Sequence, residues 1–514
     1  MIFTESKRVL LALTSGVINI LIFPKPELTL LSWITLTPLL MATYKESRAG
    51  RAFSLGALSG AIFFFGSCRW MIYVLRDYGD LDWVGSVLAF LLLVGYLSLY
   101  YASFGLVFAW LSCHLPQGCF LVAPVVWVSC EYLRGHLLTG FPWCLLGYAL
   151  VDYTSLAKIS TLTGVYGLSF MLVLINALIA SVAIKRNRES VIRLVLAVLL
   201  LTTFTGLYYW SPSVSARPGQ LASIVQTNLS PDQKWDLESK TAVLQELTRL
   251  SLSPLSMDKD WTSATIRLTV WPETPAPFYF NQDPVFRQLM QSLAQESRSY
   301  LVFGFVDYKN PSNDLAQRDP YNSMAMLSPR GDLVSQYDKI HLVPFGEYVP
   351  YPKVFFFIDK ISTEAGNFKP GNQLVVSPLD EKHKIGGFVC YEAIFPELVR
   401  QFAKSGAEVL LNVTNDAWFG DSAAPYQHLN MARLRAIENQ RYLLRAANNG
   451  ISAIVDPDGR IVNRTRLDAR VVLEAGFDFR SQQTLYTRIG DWFAWLCLLT
   501  TTATGGYLIM RRAL

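Results

Sequence analysis

Three residues in the C-terminal half of the 514-residue chain have types and settings that suit covalent chemistry. Cys390 closes the run Gly386-Gly387-Phe388-Val389-Cys390-Tyr391-Glu392, and Pro396 follows shortly after. That pattern predicts a strand turning tightly into a helix. A thiol at such a turn projects away from the backbone, with N–H groups beside it to meet a developing oxyanion. A thiol titrates near about 8.5, so a nucleophilic role requires a group that takes its proton. His341, His383 and His428 are the histidines of this region. None has a neighbourhood that marks it for the task, and each reads as structural. Carboxylates are the alternative. Trp271-Pro272-Glu273-Thr274-Pro275 fixes Glu273 at the end of an apolar strand, between prolines. Tyr337-Asp338-Lys339-Ile340-His341-Leu342-Val343-Pro344-Phe345-Gly346-Glu347 supplies a lysine suited to an oxyanion and, eight residues on, a further glutamate. The plainer readings stay open at this point: an inert buried cysteine, a solvated loop carboxylate and a surface lysine.

The elements that must position these residues alternate. Expected strands are 221–226, 266–271, 301–306, 323–327, 385–390, 408–414, 451–455 and 470–474. Expected helices are about 235–252, 284–297, 394–404 and 424–444. Such alternation predicts an α/β or layered α+β domain over 211–490. Of the seven cysteines only Cys390 falls within it. There is no HExxH, CxxC, Walker A or GxGxxG pattern, so neither a metal nor a nucleotide cofactor is expected.

The rest of the chain is different in kind. Hydrophobic residues make up 51% and charged residues 17% of the whole, below the roughly 25% charge of soluble domains. Residues 1–210 carry 14 basic and 9 acidic residues, which accounts for the entire net charge of +5. The remainder is balanced and offers no basic footprint for nucleic acid. Charge-free intervals at 9–24, 28–44, 52–68, 83–130, 159–184, 194–210 and 492–510 suit membrane spans, with 83–130 divided at His114–Gly118 into two. The interval 135–151 contains Gly140-Phe141-Pro142-Trp143 and reads as a turn or re-entrant loop. Eight spans place Lys7-Arg8, Lys45/Arg48/Arg51, Lys185/Arg186/Arg188/Arg193 and Arg511-Arg512 on the cytoplasmic side, and 211–490 outside. Gly56 and Gly60 form a small-xxx-small pair suited to close helix packing, or a chance spacing. The first segment resembles an uncleaved signal anchor. The expected division is a membrane domain over 1–210, a catalytic domain over 211–490, and a last span with its tail over 491–514.

The series Glu273, Lys339, Cys390, in these settings, resembles the Glu-Lys-Cys triad of the nitrilase superfamily. With eight spans around one outward domain, and with Gly140-Phe141-Pro142-Trp143 and Asn415-Asp416-Ala417-Trp418-Phe419-Gly420, the chain is similar to that superfamily's membrane-embedded branch, the bacterial apolipoprotein N-acyltransferases. The resemblance implies a nitrilase-like αββα sandwich inserted into a polytopic α-helical membrane domain. It implies transfer of an acyl chain, typically the sn-1 chain of phosphatidylethanolamine, to the α-amino group of the diacylglyceryl-cysteine of an apolipoprotein, through a Cys390 thioester. Glu273 would be the base and Lys339 the oxyanion partner. Glu347, Tyr391 and Glu392 would support them. Trp235 and Trp418 would wall the acyl site, with Phe278 and Phe356 as lid or lipid-contacting residues. Its partners would be the phospholipid donor, the apolipoprotein acceptor and the bilayer, with no cofactor and a monomer as the simple state. The resemblance places the chain in the bacterial inner membrane with its catalytic domain on the periplasmic side. A membrane-anchored nitrilase-type amidase is the alternative, and a transporter or scaffold whose outer domain only binds lipid or peptide is a further one.

Overall fold

A computed structural model describes residues 3–79, 81–209, 218–229, 240–253, 265–276, 278–309, 318–351, 353 and 367–513. The chain divides into two compact units. One comprises Met1–Ile72, Asp82–Pro212 and Ile489–Leu514; the other comprises Tyr73–Leu81 and Ser213–Arg488.

The first unit is helical. Among the described residues, five helices are long and apolar enough to cross a bilayer: Ala49–Ser67, Trp83–His114, Val165–Lys185, Arg188–Gly206 and Trp492–Arg511. The other expected spans are helical but fall short of that standard. Glu5–Leu21 has 17 residues, Thr29–Thr43 is shorter still, and Cys119–His136 carries Pro124, Glu131 and Arg134. Residues 135–151 form no long helix, only the 3₁₀ turns Leu137–Thr139 and Leu146–Leu150. Glu131 and Arg134 have the helical spacing of an ion pair, yet each is committed to this loop's backbone. Arg134 Nη1 donates to Trp143 O at 2.8 Å, and Glu131 Oε1 accepts from Leu146 N at 2.7 Å. In an apolar surrounding, a loop needs such side chains because no water satisfies its peptide groups.

The second unit contains two six-stranded mixed sheets. The first is ordered β12-β1-β2-β3-β4-β5: β1 Gln220–Gln226, β2 Arg267–Val270, β3 Tyr300–Tyr308, β4 Pro320–Leu327, β5 Leu333–Asp338 and β12 Val471–Phe477. The second is ordered β11-β10-β9-β8-β7-β6: β6 Val376–Pro378, β7 Lys384–Val389, β8 Val409–Thr414, β9 Tyr442–Ala447, β10 Ala453–Val455 and β11 Ile461–Arg464. Each has three adjacent parallel strands, β1-β2-β3 and β7-β8-β9, extended by antiparallel neighbours. Parallel strands covered on both faces should be continuously apolar, and β8 (Val-Leu-Leu-Asn-Val-Thr) is buried throughout. One core joins Ile224, Val270, Val302 and Met324 to Phe388, Leu411 and Leu444. Met324 occupies the space over Gly387, where a Cβ would lie 2.0 Å from its Cε, so the glycine permits the two sheets to meet there. A second core packs Trp271, Leu301 and Phe303 with Leu247, Met290 and Leu293 of helices Lys240–Leu252 and Pro284–Ser297.

The expected helix 424–444 is two elements. The helix Ala424–Asn439 stops at Gln440, which is left-handed at φ 52°, and Tyr442–Ala447 is β9 inside the second sheet. In sequence its charges, Arg433, Arg435, Glu438 and Arg441, alternate with apolar residues. In the fold they are buried: Arg441 Nε donates to Ala407 O at 2.7 Å, and Arg445 bonds Asp416. Strands β5, β6 and β11 also had no apolar run to announce them, since they lie toward sheet edges and are mixed in polarity. The part of the expected helix before Lys240 lies outside the described residues.

Candidate active site

Cys390 follows the last residue of β7 and begins the 3₁₀ turn Cys390–Ile394. Its φ is 50°, in the left-handed region that costs a non-glycine residue of order 1–3 kcal/mol and persists only where neighbours hold it. Glu392 supplies much of that hold. Its Oε2 accepts from Val389 N at 2.7 Å. Its Oε1 accepts from Tyr337 Oη at 2.7 Å, Ile340 N at 2.8 Å and His341 N at 3.0 Å. One buried carboxylate thus ties the Cys390 turn to the segment carrying Lys339. Burial pushes its pKa up, opposed by the Val389 and His341 N–H groups.

Lys339 immediately follows β5 and is buried. Its Nζ lies 2.9 Å from Glu347 and 3.7 Å from Glu273 Oε1. Asn322 Nδ2 bridges the two carboxylates, donating to each at 2.7 Å, while Asn322 O accepts from Lys339 N at 2.8 Å. Glu273 Oε2 accepts from Asn415 N at 2.8 Å, and Glu347 Oε2 accepts from Val343 N at 2.8 Å. Left-handed backbone recurs around the site, at Thr274 (φ 42°) and Phe345 (φ 62°). Burial disfavours the Lys339 charge, but Glu347, Glu273 and Cys390 outweigh it and raise its pKa, so the ammonium persists. The Cys390 thiol shifts upward as well. Burial is the main cause, the Glu273 charge adds to it, and Lys339 opposes. Cys390 is therefore a buried thiol whose charged form is disfavoured by burial and the Glu273 carboxylate and favoured by the Lys339 ammonium.

A third cluster lies behind the turn. His428, on helix Ala424–Asn439, places Nε2 3.1 Å from Cys390 O and Nδ1 3.0 Å from Asp416 Oδ1. Arg445 Nη2 donates to Asp416 Oδ2 at 2.7 Å and reaches His428 Nδ1 at 3.1 Å. Thr414 Oγ1 donates to Asp416 Oδ1 at 3.1 Å. Despite burial, Arg445 and His428 hold the Asp416 pKa down at about 2. Burial and Arg445 lower the pKa of His428.

The fold brings Glu273, Lys339, Cys390, Glu347 and Glu392 together. Tyr391 is buried beside them, its ring edge-on to Phe395 at 5.2 Å. Trp418 lies on the turn Asp416–Phe419, half-buried and edge-on to Tyr78 at 4.8 Å. Tyr78 belongs to the short Tyr73–Leu81 segment grouped with this unit. Phe278 is placed elsewhere. It stacks on Phe286 at 4.9 Å and packs against the helix-side core rather than the core that includes Cys390, because stacking there removes its ring from water. Trp235 and Phe356 lie outside the described residues. Of the histidines, His383 pairs with Glu408 at 2.9 Å, and His341 packs on Phe395. Sequence reasoning missed Asn322, and it missed the convergence of His428, Asp416 and Arg445. Their available signal was polar residues inside otherwise apolar elements.

Residues 221–485 match the carbon-nitrogen hydrolase family, and residues 15–178 match the apolipoprotein N-acyltransferase N-terminal domain. Fold and site together define a nitrilase-class unit joined to a helical region with helices long enough to cross a membrane. An apolipoprotein N-acyltransferase of Geobacter metallireducens is 37% identical over 98% of this chain and 96% of its own length. That of Methylococcus capsulatus is 32% identical over 95% and 93%. Among solved structures, the nitrilase-superfamily member Nit3 of Saccharomyces cerevisiae aligns at 23% identity over 51% of this chain and 92% of its own, with a TM-score of 0.37. The chain belongs to the apolipoprotein N-acyltransferase family.

Proposed function

We propose that this chain moves an acyl chain from a membrane phospholipid to the α-amino group of a diacylglyceryl-cysteine on an apolipoprotein, with Glu273, Lys339 and Cys390 as its catalytic residues. The observation that carries the chemistry is the buried Lys339 ammonium, held between Glu347 and Glu273 and electrostatically coupled to a thiol on a left-handed turn. In the first half-reaction Glu273 takes the Cys390 proton as sulfur attacks the ester carbonyl. Lys339 and backbone N–H groups stabilise the oxyanion, an effect worth about 3–4 kcal/mol per donor. Collapse breaks the ester C–O bond. The lysophospholipid alkoxide recovers the proton from Glu273, and a thioester remains. In the second half-reaction the lipoprotein amine attacks the thioester and loses its proton to Glu273. The C–S bond breaks, and the returning proton restores the thiol.

The membrane setting belongs to the same reading. Eight spans over 1–210 and 491–514, an αββα catalytic domain over 211–490 facing the periplasm of a bacterial inner membrane, and a monomer with one site suit two lipid substrates. The positions of the basic clusters support this orientation. Trp418, and Trp235 and Phe356 beyond the described residues, are the proposed acyl contacts.

Intact-mass spectrometry of the protein after incubation with phosphatidylethanolamine, beside Cys390→Ala, tests this directly. An acyl-sized adduct is expected on the wild type alone, and it should vanish on addition of a diacylglyceryl peptide. An adduct on Cys390→Ala removes Cys390 as nucleophile. Loss of the adduct to water at the same rate with and without the peptide makes the chain a hydrolase.

A further inference from the structure

We propose that His428 is a positioning residue for the nucleophile: its Nε2–H holds the Cys390 carbonyl and so fixes the left-handed turn that aims the thiol. This rests on the reading of Cys390 as nucleophile. A carbonyl only accepts, so the 3.1 Å contact makes Nε2 the protonated nitrogen. In the neutral ring Nδ1 is then an acceptor with Arg445 Nη2 at 3.1 Å as its donor, and Asp416 Oδ1, 3.0 Å from the same nitrogen, is neutralised by that arginine. Asp416 Oδ2 in turn accepts from Arg445 Nη2, and Arg445 Nη1 donates to Asn412 Oδ1. The ring is thereby held in one tautomer and one orientation by groups from β8, β9 and the turn after β8. All four side chains are fully buried or nearly so.

The arrangement is specific to the turn that carries the thiol. Asp416 Oδ1 stands 3.0 Å from Nδ1 of the ring that holds the Cys390 carbonyl, and it accepts from the Thr414 hydroxyl at 3.1 Å. Space for that carboxylate depends on Gly450, where a Cβ would stand 2.2 Å from Asp416 Oδ2. Glu392 secures the turn at the N–H of Val389, one residue before the nucleophile. His428 secures it at the nucleophile's own C=O. The two anchors bracket the single residue whose φ is unfavourable, so removing one lets the turn relax and the sulfur drift. A drift of about 1 Å at a reacting atom costs up to roughly 10²-fold in rate.

The test is the single-turnover rate of Cys390 acylation by phosphatidylethanolamine vesicles, read by intact mass as donor concentration is varied. His428→Leu should acylate about 10- to 100-fold more slowly, with the half-saturating donor concentration unchanged. His428→Gln, whose amide can take the Nε2 position and donate to the carbonyl, should recover most of the rate. Wild-type acylation by His428→Leu overturns the proposal. So does a loss that appears only in the half-saturating concentration. If His428→Leu does not fold, His428→Gln against His428→Asn decides. The shorter Asn amide cannot reach the carbonyl, so Asn should be slow and Gln fast, and equal rates overturn the proposal. Cys390→Ala run alongside separates the two readings, because an adduct on that variant defeats the nucleophile assignment whatever His428 does.

Discussion

Burial and the Glu273 carboxylate both raise the pKa of the Cys390 thiol, and Lys339 only partly offsets them. Burial thus favours the neutral thiol, and on the proposed mechanism proton transfer to Glu273 accompanies attack. Alkylation by iodoacetamide without lipid should keep rising from about pH 7 to 9.5, where an ordinary thiol of pKa about 8.5 is already levelling off. A plateau below about pH 8 would mean that the ammonium wins over burial. The same residues show what was legible. Glu273 and Cys390 stand out because each follows an apolar strand within a motif, and Lys339 because of the motif around it. Asn322 does not stand out: an asparagine in a strand has many uses, and only the fold shows its amide joining two carboxylates.

At the scale of elements, close approach decides several pairings. Helices Ala49–Ser67 and Trp83–His114 touch at Gly56, where a Cβ would lie 2.3 Å from Tyr101 O, and at Gly60, where it would lie 2.8 Å from Tyr101 Cβ. The small-xxx-small spacing is thus a packing feature and not chance. Gly56→Leu should lower the thermal unfolding temperature of the detergent-solubilised protein, since overpacking costs about 1–3 kcal/mol. Gly95→Leu is the control, because nothing lies within 4 Å of its added Cβ. Equal unfolding temperatures for the two variants would contradict the helix contact. The helix and strand after residue 424 teach the opposite lesson. The sequence suggested one helix over 424–444, whereas the chain turns at Gln440 and buries Arg441 and Arg445 as it enters a strand of the sheet.

For the molecule as a whole, the buried His428–Asp416–Arg445 cluster links folding to pH. His428 has its folded pKa below the ordinary 6.5, so the unfolded chain binds the proton first. Stability is then present above about 6.5 and falls as pH drops below it. Asp416 is held at about 2 against 3.8 and contributes stability above 3.8 that is lost toward pH 2, about 2 kcal/mol in all. Because only His428 of the two has its ordinary pKa between pH 7.5 and 5.5, the unfolding temperature of the wild type should fall across that range. His428→Gln should flatten the fall. An equally steep fall in the variant would assign it to other groups.

The sequence by itself determined the family and the two-part character of the chain. Glu273 and Cys390 sit in local motifs that end apolar strands, Lys339 sits in a motif of its own, and long charge-free runs have few stable homes in water. The tertiary structure alone decided which polar residues are spent on holding those three residues. Glu392 ties the turn to Tyr337, Asn322 joins Glu347 to Glu273 beside Lys339, and His428 meets the Cys390 carbonyl, through contacts between residues 25 to 55 positions apart. Tyr73–Leu81 joins the catalytic unit although the sequence around it is mostly membrane-like. The physical reason is common to all of them. A buried polar group must find a partner, and sequence spacing does not say which distant strand will deliver it.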